Sequence, residues 1–267
     1  MSLKKQIPII FENTHYFIVN KPPGIPSQPP DCRTWGRTHP NLDPTPLLER
    51  FKAIYYSHRE VELCRTVHRL DHCVTGGMLI AKTKDASVKF SRFLQKGGNN
   101  GYKLQRKYVA IVESSGRFNK PNNYEIKYGP KYNFLISHGG REITKFKEVD
   151  ENCIVLQLVT GKKHQIRNHV SQILNQPILN DKKYGSTVNF PELFNDQIAL
   201  HSACIITKIG LQTKTHLIPM EHNNTGQLWS RKYVNEEGEF TLPIKEVLLE
   251  NWEPVKQAIN NRLLNYF

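Results

Sequence analysis

The segment His68-Arg69-Leu70-Asp71-His72-Cys73-Val74-Thr75-Gly76-Gly77-Met78-Leu79-Ile80-Ala81-Lys82 organises the reading of the whole chain. Two strand-like pieces, about 64–70 and 77–83, enclose a polar turn that begins with a carboxylate. Thr75-Gly76-Gly77 supplies the tight part of the turn, because glycine reaches backbone angles closed to other residues. An acid in such a loop, beside the cation of Arg69 and the imidazoles of His68 and His72, suits a nucleophile or general base. It needs a cation to keep it ionised and a cleft to keep water out. An ordinary loop aspartate that caps a turn explains the same residue. His68, Asp71 and His72 lack the further well-spaced ligands of a motif such as H-E-x-x-H, so no metal is expected there.

Outward from this segment, 7–11 and 15–19 are β-type runs, and Lys21-Pro22-Pro23-Gly24 stops the second, since proline cannot donate to a ladder. The Pro-, Asp- and Asn-rich residues 26–46 read as a long surface loop. Thr45-Pro46 opens a helix carrying Leu47, Leu48, Phe51, Ile54 and Tyr55 at helical spacing. Asp85 caps a second helix with Phe90, Phe93 and Leu94 on one face, closed by Gly97-Gly98. Residues 104–112 and 142–149 alternate as strands do, and 153–159 is a short apolar run. The stretch 114–140 mixes loop with one short strand. Thr160-Gly161 turns into a third helix from His164 to about Leu174, apolar at Ile166, Val170, Ile173 and Leu174. Residues 199–209 and 211–218 form a strand pair, and 245–262 reads as a C-terminal helix. Strands and helices do not alternate as βαβα, which predicts an α+β fold on a mixed, mainly antiparallel sheet with flanking helices. The simplest division is a single catalytic domain over 1–267.

Lys and Arg total 37 against 24 Asp and Glu, a net charge of +13. Such a surplus favours polyanionic partners, because each neutralised phosphate releases a condensed counterion. Nucleic acid comes first and an anionic membrane surface second, while charge kept for solubility accounts for the same excess. No apolar run approaches the roughly 20 residues of a membrane span, which argues against an integral membrane protein. The 5 cysteines are scattered and form no C-x-x-C pair, so neither a disulfide framework nor a zinc ribbon is suggested, and a reducing compartment follows. The N-terminal residues show neither a secretory segment nor a long transit peptide.

Taken together, His68-Arg69-Leu70-Asp71, Thr75-Gly76-Gly77 and Ala81-Lys82 resemble the first catalytic motif of the RluA-type pseudouridine synthases. Asn20-Lys21-Pro22-Pro23-Gly24 is similar to that family's N-terminal motif, and Arg106-Lys107-Tyr108-Val109-Ala110 to its second, built on a tyrosine. Gly161-Lys162-Lys163-His164-Gln165-Ile166-Arg167 resembles the third, usually G-R-T-H-Q-I-R. Pro177-Ile178-Leu179-Asn180-Asp181 with Tyr184-Gly185, and Leu200-His201-Ser202-Ala203, complete the series in order. The chain departs from the pattern twice. Gly76 replaces a serine, and Lys162-Lys163 trades a planar guanidinium for two ammonium groups, which gives up bidentate phosphate geometry. Within the family the likeness is to the fungal mitochondrial branch acting on large-subunit ribosomal RNA.

The resemblance implies the pseudouridine synthase fold with a central RNA-binding cleft and no appended N-terminal RNA-binding domain. It implies isomerisation of a uridine in RNA without a cofactor, with RNA as partner, no obligate protein partner and no membrane. The expected compartment is the mitochondrion, with the cytoplasm as alternative. Other readings are a synthase acting on tRNA and an RNA-binding assembly protein that dispenses with catalysis. Asp71 is implied as the catalytic carboxylate, Arg167 as its partner, and Tyr108 as the ring that meets the target base. Arg69, Arg106, Lys107, Lys162 and Lys163 are expected to contact RNA, with Lys103, Lys182 and Lys183 as further phosphate contacts. Leu70 and Ile166 are expected as apolar walls, and His164 and His201 as structural hydrogen-bonding groups.

Overall fold

A computed structural model describes residues 7–55, 63–96, 101–113, 124–188, 190, 193, 196–221 and 228–252. Its organising element is the strand β10 (Leu200–Ile209), which opens on an almost continuous buried run. It pairs antiparallel with β5 (Tyr102–Ile111) and β11 (Gln212–Leu217), and parallel with β4 (Thr75–Ala81). From β4 the sheet continues through β2 (Tyr16–Lys21) to β1 (Ile9–Glu12), and β3 (Arg65–Thr66) also pairs with β4. From β5 it runs through β9 (Cys153–Leu158), β8 (Glu142–Glu148) and β7 (Asn133–Ser137) to β6 (Tyr124–Lys127). The β4–β10 contact is the parallel one among these 11 strands; the sheet is therefore mixed and mainly antiparallel.

Both faces of the sheet are covered, which explains why β4 is buried along its whole length. The period of two sends Tyr16 and Ile18 of β2, with Leu79 and Ala81 of β4, to one side. There they pack with Phe90 of α3 (Lys84–Lys96). Phe17 and Val19, with Met78 and Ile80, face the larger core on the other side, with Phe51 of α2 (Leu47–Ile54). That core also takes Val170 and Ile173 of α4 (Gln165–Ile173) and Ile244 and Leu248 of α5 (Leu242–Leu249).

Several local expectations are corrected. The 26–46 loop contains a seven-residue helix, α1 (Cys32–Thr38), capped by Asp31, whose carboxylate accepts from the Arg33 and Thr34 amides. Its one buried residue is Trp35, so it offers no apolar stripe to read. Pro46 is the N-cap of α2 rather than its first helical residue, and no side chain caps that end. In α3 the capping oxygen is Thr83 Oγ1, which accepts from the Ala86 amide, and Asp85 lies inside the first turn. Only Arg65–Thr66 of the 64–70 run pairs as strand. The Gly97-Gly98 stop, residues 114–123 and the 253–262 part of the expected C-terminal helix lie outside the described residues. Among the described residues no helix is long and apolar enough to cross a membrane.

His201 shows how polar groups are spent inside the sheet. Its Nε2–H donates to the Ile218 carbonyl (3.1 Å), which leaves Nδ1 to accept from the Thr75 hydroxyl (2.7 Å). Burial lowers its pKa to about 4, and burial likewise holds His169 and His216 near 4. These imidazoles are neutral in the fold but titrate near 6.5 once unfolded. Their contribution to stability is therefore complete above about pH 6.5 and is lost as the pH falls toward 4. Thermal unfolding should shift down by several degrees (roughly 2–4 °C per kcal/mol at this size) between pH 7 and 5. Proton uptake should accompany unfolding in that window, and His201→Gln should reduce it.

Candidate active site

The loop that carries Asp71 is fixed by its backbone. Ser27 Oγ donates to the Leu70 carbonyl (2.6 Å) and accepts from the Leu70 amide (3.0 Å). On the other side of Asp71, the His72 carbonyl accepts from the Gly24 amide (2.8 Å) and the Lys21 ammonium (3.1 Å). Lys21 is fully buried and also donates to the Pro22 and Ile25 carbonyls. Its charge is thus satisfied by main-chain dipoles, and it ties the N-terminal segment to the loop. The chain then enters β4 through Gly76, whose φ of +107° and close approach to the Ser202 backbone leave no space for a Cβ. The missing serine is thus a glycine that this backbone requires.

Arg167 arrives from the opposite side on α4. Gln165 anchors that helix: its Oε1 accepts from the Lys162 amide (3.0 Å) and the Thr160 hydroxyl (2.9 Å), and its Nε2 donates to the Ile143 carbonyl (3.0 Å). Ile166, Val170 and Ile173 keep to one helical face in the core. His164 is the N-cap residue, in the left-handed region (φ 56°), an uncommon backbone for a residue with a Cβ. Its Nε2 lies 3.6 Å from Asp71 Oδ1, and its Nδ1 is 2.9 Å from the Tyr184 hydroxyl. Burial holds the His164 imidazole below its ordinary pKa despite the neighbouring Asp71 charge.

The guanidinium of Arg167 serves two carboxylates. Nε and Nη2 donate to the two oxygens of Asp181, each at 2.7 Å, and Nη1 donates to Asp71 Oδ2 at 3.0 Å. Tyr184 lies under the same group, its ring centre 4.9 Å from Cζ. Burial opposes the charge of Arg167, but its bonds to Asp181 and the surrounding negative charge outweigh burial and keep it protonated. The Asp181 side chain is 1% exposed and that of Asp71 14%. Asp71 Oδ1 receives no hydrogen bond among the described residues, which leaves that oxygen free to act.

Asp71 and Arg167 line a cleft of about 480 Å³ together with Tyr108, Arg106, Ile166, Leu70 and Leu200. Arg69, Lys162 and Lys163 stand exposed at its rim. A larger cavity of about 840 Å³ shares Asp71 and Arg167 and continues past Trp35, Lys182 and Lys183. Burial, and to a smaller degree the Asp71 charge, raises the Tyr108 pKa against the opposing effect of Arg106, so its phenol stays protonated. The structure therefore brings Asp71, Tyr108 and Arg167 to one cleft.

Lys107 is a correction. It is 1% exposed and points to the other side of β5, where its ammonium donates to the carbonyls of Val247 (3.2 Å), Leu248 (2.8 Å) and Glu250 (2.6 Å). It caps the C-terminal end of α5, where a helix presents its negative pole, and is not available to phosphate. Strand alternation carries this signal, since Arg106 and Tyr108 share a face that Lys107 cannot. Lys103 is exposed but lines neither cavity. Asp181 and Tyr184 were not foreseen as site residues. A buried arginine requires a carboxylate partner, and Asp181 belongs to the same series of motifs.

A cleft rimmed by cations, with a clamped carboxylate and a tyrosine on its wall, suits an enzyme that acts on a polyanion. The sequence matches the RNA pseudouridylate synthase family over residues 15–172, and the chain belongs to that family. It is 98% identical over 253 residues to the 21S rRNA pseudouridine(2819) synthase of Saccharomyces cerevisiae, covering 95% of this chain and 100% of that protein. The protein of the same name from Eremothecium gossypii is 39% identical over 94% of this chain and 90% of its own length. The dual-specificity RNA pseudouridine synthase RluA of Vibrio cholerae is 28% identical over 74% of this chain and 75% of its own. The structure of human RNA Pseudouridylate Synthase Domain Containing 1 superposes with a TM-score of 0.55 at 14% identity, covering 95% of this chain and 99% of that one, which supports the fold. The chain is thus an isomerase that forms pseudouridine in RNA.

Lys162 and Lys163 stand exposed at the cleft, whereas Lys107 is tied to the end of α5. Lys162→Ala with Lys163→Ala should reduce the slope of log affinity against log salt by about 1 to 2 on RNA filter binding. Lys107→Ala should lower the melting temperature and leave that slope unchanged.

Proposed function

We propose that this chain converts one uridine of the mitochondrial 21S large-subunit ribosomal RNA to pseudouridine, with Asp71 as its catalytic carboxylate. The observation that carries the catalytic part is the Asp71 carboxylate, held by Arg167 at 3.0 Å through one oxygen and open to the cleft through the other. The RNA target and the mitochondrial compartment rest on the 98% identity to the Saccharomyces cerevisiae protein named for that RNA. We also take the continuous sheet as a single catalytic domain.

The target nucleotide must leave its stack to expose C1′ and C5, at a cost of a few kcal/mol. Arg69, exposed at the rim and 3.3 Å from Gln28 Oε1, is placed to enter the stack the base vacates or to brace the target phosphate. Asp71 Oδ1 faces C1′ and stabilises the positive charge that develops as the N1–C1′ bond breaks, with or without forming a bond of its own. The freed uracil turns against the Tyr108 ring and joins C1′ through C5. The C5 proton then leaves and N1 takes up a proton, so atoms and charge balance without an oxidant, a reductant or a group donor. The protonated Tyr108 phenol hydrogen-bonds the turning base, while Arg106 lies on the same wall. Arg167 holds the Asp71 carboxylate aimed into the cleft.

The test is tritium release from C5-labelled uridine in transcripts of 21S ribosomal RNA and of mitochondrial tRNAs, followed by mapping of the modified position. The wild-type chain should release tritium from the ribosomal transcript at a single position. Asp71→Ala should release none while binding RNA to within about tenfold of wild type, since phosphate contacts supply most of the affinity. Full activity of Asp71→Ala would refute the mechanism. Release from tRNA alone would refute the target.

A further inference from the structure

His39, His72 and Asp196 come together on the wall of the larger cavity, from three separate parts of the chain. His39 follows α1, His72 follows the catalytic aspartate, and Asp196 precedes β10. Their ligand atoms all lie within 4.8 Å of one another. Neither His68 nor Asp71 belongs to the group. His68 is turned inward instead, its Nε2 accepting from the Leu79 amide at 3.0 Å.

From this convergence we propose that His39, His72 and Asp196 form a binding site for a divalent transition-metal ion of the zinc type. Nε2 of His72 is buried and has no hydrogen-bond partner among the described residues. Native folds rarely leave such an atom unsatisfied, and a cation is one way to satisfy it. His39 is prepared in the manner of a metal ligand: its Nδ1 is bonded to the Thr38 hydroxyl at 2.7 Å, and its Nε2 is left 3.9 Å from Asp196 Oδ2. A hydrogen bond on the outer imidazole nitrogen fixes ring orientation and ligand basicity. Trp35 stacks on the His39 ring at 4.4 Å and meets the His72 ring edge-on at 5.3 Å, while its own indole N–H is tied to the Leu42 carbonyl. The two imidazoles are thereby held with ring centres 4.3 Å apart and nearly perpendicular.

Two imidazoles and one carboxylate suit zinc, cobalt or nickel and are poor partners for magnesium, which prefers oxygen and water. Three protein ligands leave at least one coordination position facing the cavity, where water or an RNA phosphate oxygen completes the sphere. The ion takes no part in the isomerisation. It clasps α1 and the 196 segment to the loop that carries Asp71, because His72 is the next residue in the chain. Nothing in this inference depends on the RNA target proposed above.

The experiment is a titration of chelator-stripped protein with Co²⁺, read by its visible d–d absorption, and with Zn²⁺ in competition. One ion per chain is expected, with Zn²⁺ displacing Co²⁺ and millimolar Mg²⁺ failing to do so. His39→Gln and Asp196→Asn should each weaken binding at least tenfold, whereas His138→Gln, at an exposed histidine elsewhere, should not. Zn²⁺ should raise the melting temperature of the wild type and leave that of His39→Gln unmoved, and circular dichroism checks that the variants fold. Absence of a stoichiometric cobalt band in the wild type would overturn the proposal. So would binding unchanged in both His39→Gln and Asp196→Asn, or displacement by Mg²⁺.

Discussion

One buried guanidinium shared between two carboxylates sets the chemistry of the cleft. Arginine presents five N–H donors in a rigid fork. Two of those donors are committed to Asp181 and another to Asp71. The division is unequal, and the inequality is useful. Asp181, almost wholly buried, receives the bidentate pair and works as a fixture. Asp71 receives a single bond and keeps an oxygen toward the cleft. One guanidinium thus fixes two acids in different ways, one sealed in the fold and one turned to a cleft whose rim is otherwise cationic. Lysine at position 167 would lack the fork and could not hold both acids in these directions.

The sheet supplies the precision this arrangement needs. Ser202 of β10 is opposite Gly76 on one side and Tyr108 on the other, so a single register relates the catalytic loop to the tyrosine. Lys21 and Ser27 hold the loop from the N-terminal side, and Gln165 holds the start of α4 against β8. Each fixing group is buried and hydrogen-bonded, which is how a polar side chain adds rigidity without an unmet desolvation cost.

Much of this is legible in the sequence. The alternation in 104–112 and the helical spacing of Ile166, Val170 and Ile173 gave β5 and α4 nearly in place, because those patterns report burial directly. The motifs name Asp71, Tyr108 and Arg167, and the fold brings these three to one cleft. α1 was hidden, since a seven-residue helix with one buried tryptophan has no periodicity to detect. Most of 64–70 looked like strand from its composition, but the backbone beyond Thr66 bonds to Ser27 and follows the site instead of the ladder. Lys107 is no phosphate contact, because strand alternation places it on the face opposite its neighbour Tyr108, against the end of α5. Asp181 was missed because its importance lies wholly in its partner, and pairing across 14 residues of loop and helix leaves no local pattern.

Asp181 reaches Asp71 only through the Arg167 guanidinium that both share. This coupling is tested most directly by a double-mutant cycle on the single-turnover rate of pseudouridine formation, using Arg167→Met, Asp181→Asn and the pair. Asp181→Asn should slow the wild type by about 10- to 100-fold, as when a group that orients a reactive residue is lost. In the Arg167→Met background it should cost almost nothing further, as expected for strongly coupled residues. Losses that simply multiply, with each mutation costing as much alone as in combination, would contradict it.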